Sequence, residues 1–251
     1  MSSYLLHHLL FTVPVLLALA YFKPRLPEPT EKRFLTGMGL LVCIAVLYTT
    51  PWDSYLLSRG VWSYGDGVVL LRLWGVPLGE YLFFIIQTLI TSVWLYMLPF
   101  SDVEDAHASV FGDMRLTLPW LVLGMLGGWL LFSGGPSYFY LGAILAWAAP
   151  VMVVQWGFGG QRLLEERTRL FTAVAVPTLY LWIVDWVAIE RGLWTISRDT
   201  RTGVDLLGLP VEEAVFFLAT NLMVVQGLIL YEWLMSEDSS VSASSTLIED
   251  A

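Results

Sequence analysis

The chain of 251 residues is 57% apolar and only 14% charged, whereas an average soluble domain carries roughly 25% charged residues. Its 22 acidic and 13 basic residues give a net charge of −9, which argues against nucleic-acid binding because such proteins present clustered basic residues. With a single cysteine, Cys43, a disulfide framework and a metal site built from cysteines are excluded. This composition predicts a membrane protein.

Seven apolar segments follow one another, most of them near the roughly 20 residues that cross a bilayer as a helix. The pattern predicts an all-α, polytopic membrane protein with seven transmembrane helices. In chain order the segments are 4–22, 34–48 (extending up to 57), 77–98, 116–132, 138–156, 170–189 and 210–234.

The loops differ in their content of Lys and Arg. Eight of these residues follow the first, third and fifth segments, and five follow the second, fourth and sixth. Because cytoplasmic loops are the richer in Lys and Arg, we expect a cell-membrane protein with its N-terminus outside and its C-terminus in the cytoplasm. Residues 235–251 are acidic and serine-rich, which predicts a disordered tail.

Two sequence patterns occur twice. The first is Asp, five residues, Arg-Gly, one residue and Trp, at 53–62 and 185–194. The second has Gly, Pro, Glu and Phe-Phe at matching positions, at 75–84 and 208–217. A weaker similarity pairs Ser3-Tyr4 with Ser137-Tyr138.

The repetition predicts two copies of a three-helix unit. Three helices end on the side of the membrane opposite to where they began, so a second copy in the same orientation needs one extra crossing. We therefore expect a first repeat over 1–99, a linker with the fourth helix over 100–137, and a parallel second repeat over 138–234. Repeat-built membrane proteins often hold their site at the repeat interface.

The repeated patterns carry ionisable side chains at the ends of apolar segments, where such groups are usually functional. Two alternatives stay open, because a Glu at a helix start is favoured by the helix dipole and an Asp can pair with the arginine that follows it. We favour function because the combination occurs twice. The candidate catalytic residues are Asp53, Glu80, Asp185, Glu212 and Glu213.

Aromatic and polar side chains follow the glutamates at helical spacing, on the same helix face. The alternative for the rings is a lipid-facing or interfacial position. Arg59 and Arg191 are expected to orient the aspartates. The candidate cation-stabilising rings are Phe83, Phe84, Phe216, Phe217, Trp62 and Trp194, and the candidate supporting amides are Gln87 and Asn221.

Such a face suits the protonation of a hydrocarbon. A carboxylic acid in an apolar site is favoured in its protonated form and can act as a Brønsted acid. Aromatic faces stabilise a nearby cation. The combination can protonate an alkene and shelter the carbocation, which water would quench.

At these residues the chain resembles the membrane-integral lycopene cyclases of bacteria, archaea and fungi, in the form that fuses two halves into one polypeptide. The resemblance covers residues 4–234 and is most specific at 210–217 and at the two Asp-x5-Arg-Gly-x-Trp patterns. In the first half, Gly79 replaces one glutamate of the family's Pro-x-Glu-Glu pattern and leaves Glu80 as the matching acid.

The resemblance implies a redox-neutral isomerisation in carotenoid biosynthesis. An acid protonates the terminal double bond of a lycopene ψ-end, the next alkene attacks the cation, and loss of a ring proton gives a β-ionone ring. One closure gives γ-carotene and two give β-carotene. Glu213 or Glu80 is the implied donor, and Glu212, Asp185 or Asp53 the implied base or proton relay.

The resemblance further implies lycopene from the bilayer as substrate, membrane lipid and other carotenoid-pathway enzymes as partners, and no cofactor. The three histidines are too scattered to predict a metal site. Rival interpretations are an ε-ring or C50 cyclase, a carotenoid hydratase, or a proton-coupled transporter. A retinal photoreceptor is disfavoured, because the only lysines are Lys23 and Lys32 in the first loop.

Overall fold

The computed structural model describes residues 3–99 and 113–249. Seven helices of this described part are long and apolar enough to cross a membrane, which confirms the predicted all-α polytopic fold. They are α1 (Ser3–Phe22, with a π-helical turn at His8–Thr12), α2 (Glu28–Ser58), α3 (Leu78–Met97), α4 (Leu118–Ser133), α5 (Phe139–Glu165), α6 (Arg167–Glu190) and α7 (Val211–Glu249).

Three helices are clearly longer than the apolar segments that predict them, and one of these is α5, which continues to Glu165. Helix α2 includes a charged first turn and continues through Pro51, which hydropathy alone does not reveal. Helix α7 continues to Glu249, which differs from the disordered tail predicted for residues 235–251. Extending an existing helix costs far less than nucleating one, so a polar sequence can prolong it. Residues 100–112 of the predicted linker lie outside the described residues.

Six short strands complete the described fold, and the sequence analysis predicts none of them. Strand β1 (Trp62–Tyr64) pairs antiparallel with β4 (Trp194–Ile196) across the two halves of the chain, with Trp62 opposite Ile196 and Tyr64 opposite Trp194. We call this pair the ribbon. The strands are β1 (Trp62–Tyr64), β2 (Arg72–Leu73), β3 (Val76–Pro77), β4 (Trp194–Ile196), β5 (Asp205–Leu206) and β6 (Leu209–Pro210).

The repeated Arg-Gly dipeptide ends a helix in each half. Gly60 and Gly192 have φ of 69° and 67°, a left-handed conformation that glycine adopts readily. The next N–H groups reach back into the last turn, from Val61 to the Leu56 carbonyl at 3.1 Å and from Leu193 to the Ala188 carbonyl at 3.0 Å. This is the Schellman arrangement, and it directs the following tryptophan into the ribbon.

The hairpins β2–β3 and β5–β6 turn the chain back towards the next helix. Each turn has two residues with positive φ, 49° and 82° at Trp74-Gly75 and 52° and 92° at Leu207-Gly208. Two positive φ values define the type I′ turn, whose twist matches that of the strands. The hairpins set the starting points of α3 and α7.

Helices α3 and α7 form the centre of the bundle. In their most apolar windows, 56% of α3 and 67% of α7 is buried, against 17% for α1 and α4. The outer helices present large apolar side chains such as Leu17, Leu47 and Phe132, as a lipid-facing surface requires. Helices α2 and α6 end, and helices α3 and α7 begin, at the end of the bundle where the ribbon lies.

Candidate active site

A pocket lies beneath the ribbon, at one end of the bundle. All helices except α4 contribute to its wall. The lining comprises the carboxyl groups of Asp53, Glu80, Asp185 and Glu213, the rings of Tyr4, Trp52, Trp62, Phe83, Phe84, Tyr140, Trp194, Phe216 and Phe217, both His7 and His8, and the apolar Leu181, Val184 and Ile196.

Four of the five predicted acids thus meet in one pocket. Asp53, Asp185 and Glu213 are 2%, 4% and 6% exposed, and Glu80 is partly buried. Within the described ranges 3–99 and 113–249, no Lys or Arg nitrogen forms an ion pair with any of them. Burying a carboxylate without a counter-ion is costly, so this pocket suits carboxyl groups that hold a proton.

The hydrogen-bond partners of these acids are aromatic. The Tyr140 hydroxyl donates to Glu213 at 2.9 Å, and the Trp194 indole N–H donates to Asp185 at 3.1 Å. Glu80 interacts with two phenols, Tyr64 and Tyr4. One oxygen of each aspartate, Oδ2, has no hydrogen-bond partner among the described residues.

Tyr64 connects the ribbon to Glu80. The Trp62 indole N–H donates to the Tyr64 hydroxyl at 2.9 Å, and that hydroxyl donates to the Glu80 carboxyl group. Burial, followed by the negative charge of Glu80, raises the pKa of the Tyr64 phenol well above its usual range. The phenol therefore keeps its proton and remains a hydrogen-bond donor.

The two glutamates occupy the same position in their helices. Glu80 is the third residue of α3 and Glu213 the third of α7, each after a proline that ends a hairpin. The first turn of a helix has free N–H groups and a favourable dipole for an acidic side chain. The proline, the hairpin and the helix start together aim each glutamate into the pocket.

The position before each glutamate differs between the halves for a steric reason. A Cβ on Gly79 would lie 2.3 Å from Cδ1 of the Tyr4 ring, so glycine is required where that ring packs. Glu212, the matching residue, is fully buried but lies outside the pocket lining. It accepts a hydrogen bond from the Thr202 backbone N–H at 2.6 Å.

All six predicted rings line the pocket. Phe83 and Phe217 meet edge to face with their centroids 5.7 Å apart. Phe216 stacks on Trp52, with centroids 5.7 Å apart and planes 6° from parallel. The tryptophans of the two repeated patterns, Trp62 and Trp194, cover the pocket from the ribbon.

The predicted supporting residues lie elsewhere. Gln87 donates to the Asn221 side-chain oxygen at 2.9 Å, within a buried network that links α3, α6 and α7. Arg59 lies over the Phe139 ring at 5.2 Å, and Arg191 over the Phe11 ring at 5.6 Å. The structure therefore corrects the expectation that these arginines contact the aspartates, because six residues along a helix separate side chains by roughly 120°.

Sequence reasoning missed the tyrosines and histidines of the pocket wall. Tyr4 contacts Glu80 in the first half, and Tyr140 contacts Glu213 in the second. Tyr140 is therefore the counterpart of Tyr4, and the similarity noted at Ser137-Tyr138 is two residues out of register. His7 and His8 occur in the first half alone, so repetition gave no signal for them. Among the described residues, no group of three or more His, Cys, Asp or Glu is arranged to hold a metal ion.

Comparisons with known proteins agree with this geometry. A family model described as lycopene cyclase matches two segments of the chain, residues 2–98 and 137–234. A protein of Halobacterium salinarum named lycopene beta-cyclase is 45% identical over 206 residues, covering 80% of this chain and 84% of the relative. No solved structure matches the chain.

Fungal relatives are longer than this chain. Proteins named bifunctional lycopene cyclase/phytoene synthase are 38% identical in Pyrenophora tritici-repentis, over 92% of this chain and 41% of the relative, and 38% identical in Gibberella fujikuroi, over 88% and 39%. The family match spans both halves of the chain and most of its helices. The chain therefore belongs to the lycopene cyclase family.

Proposed function

We propose that this protein is a lycopene β-cyclase, which closes the ψ-ends of lycopene into β-ionone rings without a redox change. The observation that carries the proposal is the pocket itself, where buried carboxyl groups that form no ion pair with a described Lys or Arg lie among aromatic rings. The name of the Halobacterium salinarum relative supports the same activity.

Glu213 is the proton donor in this proposal. It is deeply buried and accepts one phenolic hydrogen bond, from Tyr140, whereas Glu80 interacts with two phenols. Donated hydrogen bonds stabilise a carboxylate. The glutamate with fewer donors therefore keeps its proton until an alkene takes it, whereas Glu80, whose carboxylate the two phenols stabilise, contributes negative charge near the developing cation.

The rings shelter that cation. Phe83, Phe216 and Phe217 present π-faces and edges within one wall of the pocket. The quadrupole of an aromatic face attracts a cation, and the ribbon tryptophans keep water from the reacting carbons. Asp53 and Asp185 serve as proton relays. Glu212 lies outside the pocket lining and holds the backbone of Thr202 in position.

The pocket size sets how a long substrate is handled. The pocket occupies one end of the bundle and is lined by 18 residues. A C40 polyene is larger, so one end-group enters the pocket while the remaining chain stays in the bilayer. The two rings of β-carotene then form one after the other, with γ-carotene as the intermediate.

Expression in a lycopene-producing bacterium tests the activity. We expect lycopene to be converted to β-carotene, with γ-carotene appearing first, measured by chromatography of the extracted pigments. Cells with an empty vector are the control. Unchanged lycopene in cells whose membranes contain the protein would contradict the proposal. Rings other than β would show instead that the protein is a related enzyme acting on carotenoid end-groups.

We also propose that residues 1–99 and 138–234 are parallel repeats joined by a linker over 100–137. The family model matches one segment in each half, and each half contributes an Asp, a Glu and a phenol to the pocket. Helix α4, which belongs to the linker, contributes nothing to the lining. The repeat interface is then the substrate site.

The proposed orientation, with the N-terminus outside the cell membrane, can be tested with thiol labelling. In a background with Cys43→Ala, we expect Leu207→Cys, whose parent side chain is 96% exposed in the second hairpin, to react with a membrane-impermeant reagent in intact cells. Lys32→Cys, at an exposed position after α1, is the control and should react only in permeabilised cells. The reverse pattern would invert the topology.

A further inference from the structure

His7 stands out among the pocket residues because its imidazole is buried and unpaired. Its side chain lines the pocket, the residue is only 4% exposed, and neither ring nitrogen has a hydrogen-bond partner among the described residues. Buried polar groups almost always have partners, so an unpaired one calls for a functional explanation. Its neighbours are rings, with Phe11 at 4.8 Å and Trp194 at 5.8 Å between centroids.

Each ring nitrogen of the adjacent residue, His8, lies within hydrogen-bond distance of a partner. Nε2 of His8 lies 3.0 Å from the Gly79 carbonyl oxygen, which fixes the proton on that nitrogen. Nδ1 lies 3.1 Å from the Thr12 hydroxyl, which shares its single proton between this nitrogen and the His8 carbonyl oxygen at 3.3 Å and stands in front of the Nδ1 lone pair. His8 is thus a connection between α1 and the start of α3, and its lone pair is not available to a substrate.

A base for the last step of ring closure must be able to accept a proton inside this pocket. The protonated carboxyl groups of the pocket have no basic lone pair to offer, and the Glu80 carboxylate is a weak base because the phenols of Tyr64 and Tyr4 stabilise its charge. A neutral imidazole keeps one basic nitrogen without placing a charge in the apolar pocket beforehand. His7 is the lining residue with such a nitrogen free of hydrogen bonds.

The two halves of the chain differ at this position. Tyr4 and His7 are three residues apart on α1, and the matching tyrosine of α5, Tyr140, is followed at the same spacing by Ala143. Ala143 is 5% exposed and packs in an apolar cluster. The pocket therefore has an acid from each half but one free imidazole, on the side of α1.

We propose that His7 is the general base that removes the ring proton and so decides which ring isomer forms. The inference rests on the proposed cyclase function. Glu213 gives a proton to the terminal alkene carbon, and the next alkene's π pair forms the new ring bond. A ring C–H bond then breaks, its electron pair becomes the ring double bond, and its proton goes to His7. Transfer of that proton to the Glu213 carboxylate restores both residues, so product and substrate are isomers.

Two substitutions test this role. His7→Phe fills the space without a base, and His7→Ala leaves room for added imidazole. We expect both proteins to accumulate in the membrane and to form β-rings about 100-fold more slowly, because a general base contributes roughly that factor or more. Imidazole should restore β-ring formation in His7→Ala but not in His7→Phe.

Product analysis separates a catalytic from a structural role. The residual rings of both variants should have their double bond at another position or carry a hydroxyl group, since the cation must lose its charge in another way. Deuterium from deuterated water should still enter the ring, because protonation is intact. Leu9→Phe, at an exposed position of the same helix, is the matched control and should behave as wild type.

The outcomes distinguish this inference from the proposed function. Wild-type protein that leaves lycopene unchanged would overturn the cyclase function. An active wild type together with unchanged rate and β-ring share in either His7 variant would overturn the base role alone. If neither variant accumulates, or if rescue by imidazole fails and the product stays purely β, His7 is structural and the inference is wrong.

Discussion

Glu213→Gln should abolish most ring formation while the protein still accumulates in the membrane. Glutamine has the same shape, and its amide oxygen can accept the Tyr140 hydrogen bond now made to Glu213 at 2.9 Å. It cannot donate a proton of carboxylic-acid strength, so we expect a loss of about 100-fold or more. Pigment chromatography, normalised to the amount of membrane protein, measures the effect.

Two neighbouring substitutions make this result specific. Glu212→Gln changes the adjacent residue, which is buried outside the pocket and can still accept from the Thr202 N–H, so near-normal activity is expected. Glu80→Gln should have an intermediate effect, about 10-fold, because it removes a stabilising charge rather than the donor. Full activity of Glu213→Gln would disprove the donor role, and a larger loss in Glu80→Gln would transfer that role to Glu80.

The sequence predicts the helices and the acids because both leave strong patterns. Long apolar runs bounded by charges define spanning segments, and the repeated spacing indicates that the two aspartates and two glutamates lie at one end of the bundle. The structure brings Asp53, Glu80, Asp185 and Glu213 into one pocket. No ionic contact with Arg59 or Arg191 is needed to hold them there.

The ribbon and the histidines leave no such pattern. Strands of two or three residues are too short for an alternating period to appear. The pairing of Trp62 with Ile196 joins positions far apart in the chain, and only the assembled helices bring them together. His7 has no counterpart in the second half, so its importance depends on unsatisfied nitrogens that a sequence does not reveal.

The missing glutamate of the first half is likewise explained by packing. From sequence alone, Gly79 is a departure from the family pattern. In the structure the Tyr4 ring lies against Gly79, the His8 ring nitrogen lies 3.0 Å from its carbonyl oxygen, and Tyr4 interacts with Glu80. Loss of one acid therefore makes room for a tyrosine that positions the other.

Gly79→Ala should consequently disable the site through Tyr4. The new Cβ would lie 2.3 Å from the Tyr4 ring, so the ring must move away and its interaction with Glu80 is lost. Overpacking of this kind costs about 1–3 kcal/mol, and the movement also displaces the start of α1, where His7 follows Tyr4 by three residues. We expect β-ring formation to fall about 10-fold or more, with a lower thermal unfolding temperature of the purified protein.

Gly39→Ala is the matched control. Gly39 lies inside α2 and a Cβ there would meet no atom within 4 Å, so the same change should leave activity intact and, since alanine favours helix, unfolding temperature equal or higher. A second variant, Gly79→Ala combined with Tyr4→Ala, removes the clash but not the loss of the phenol. Because Tyr4 is only 3% exposed, the missing ring leaves a cavity, so we expect neither stability nor activity to return. Recovery of activity would mean that Tyr4 has no part in positioning Glu80.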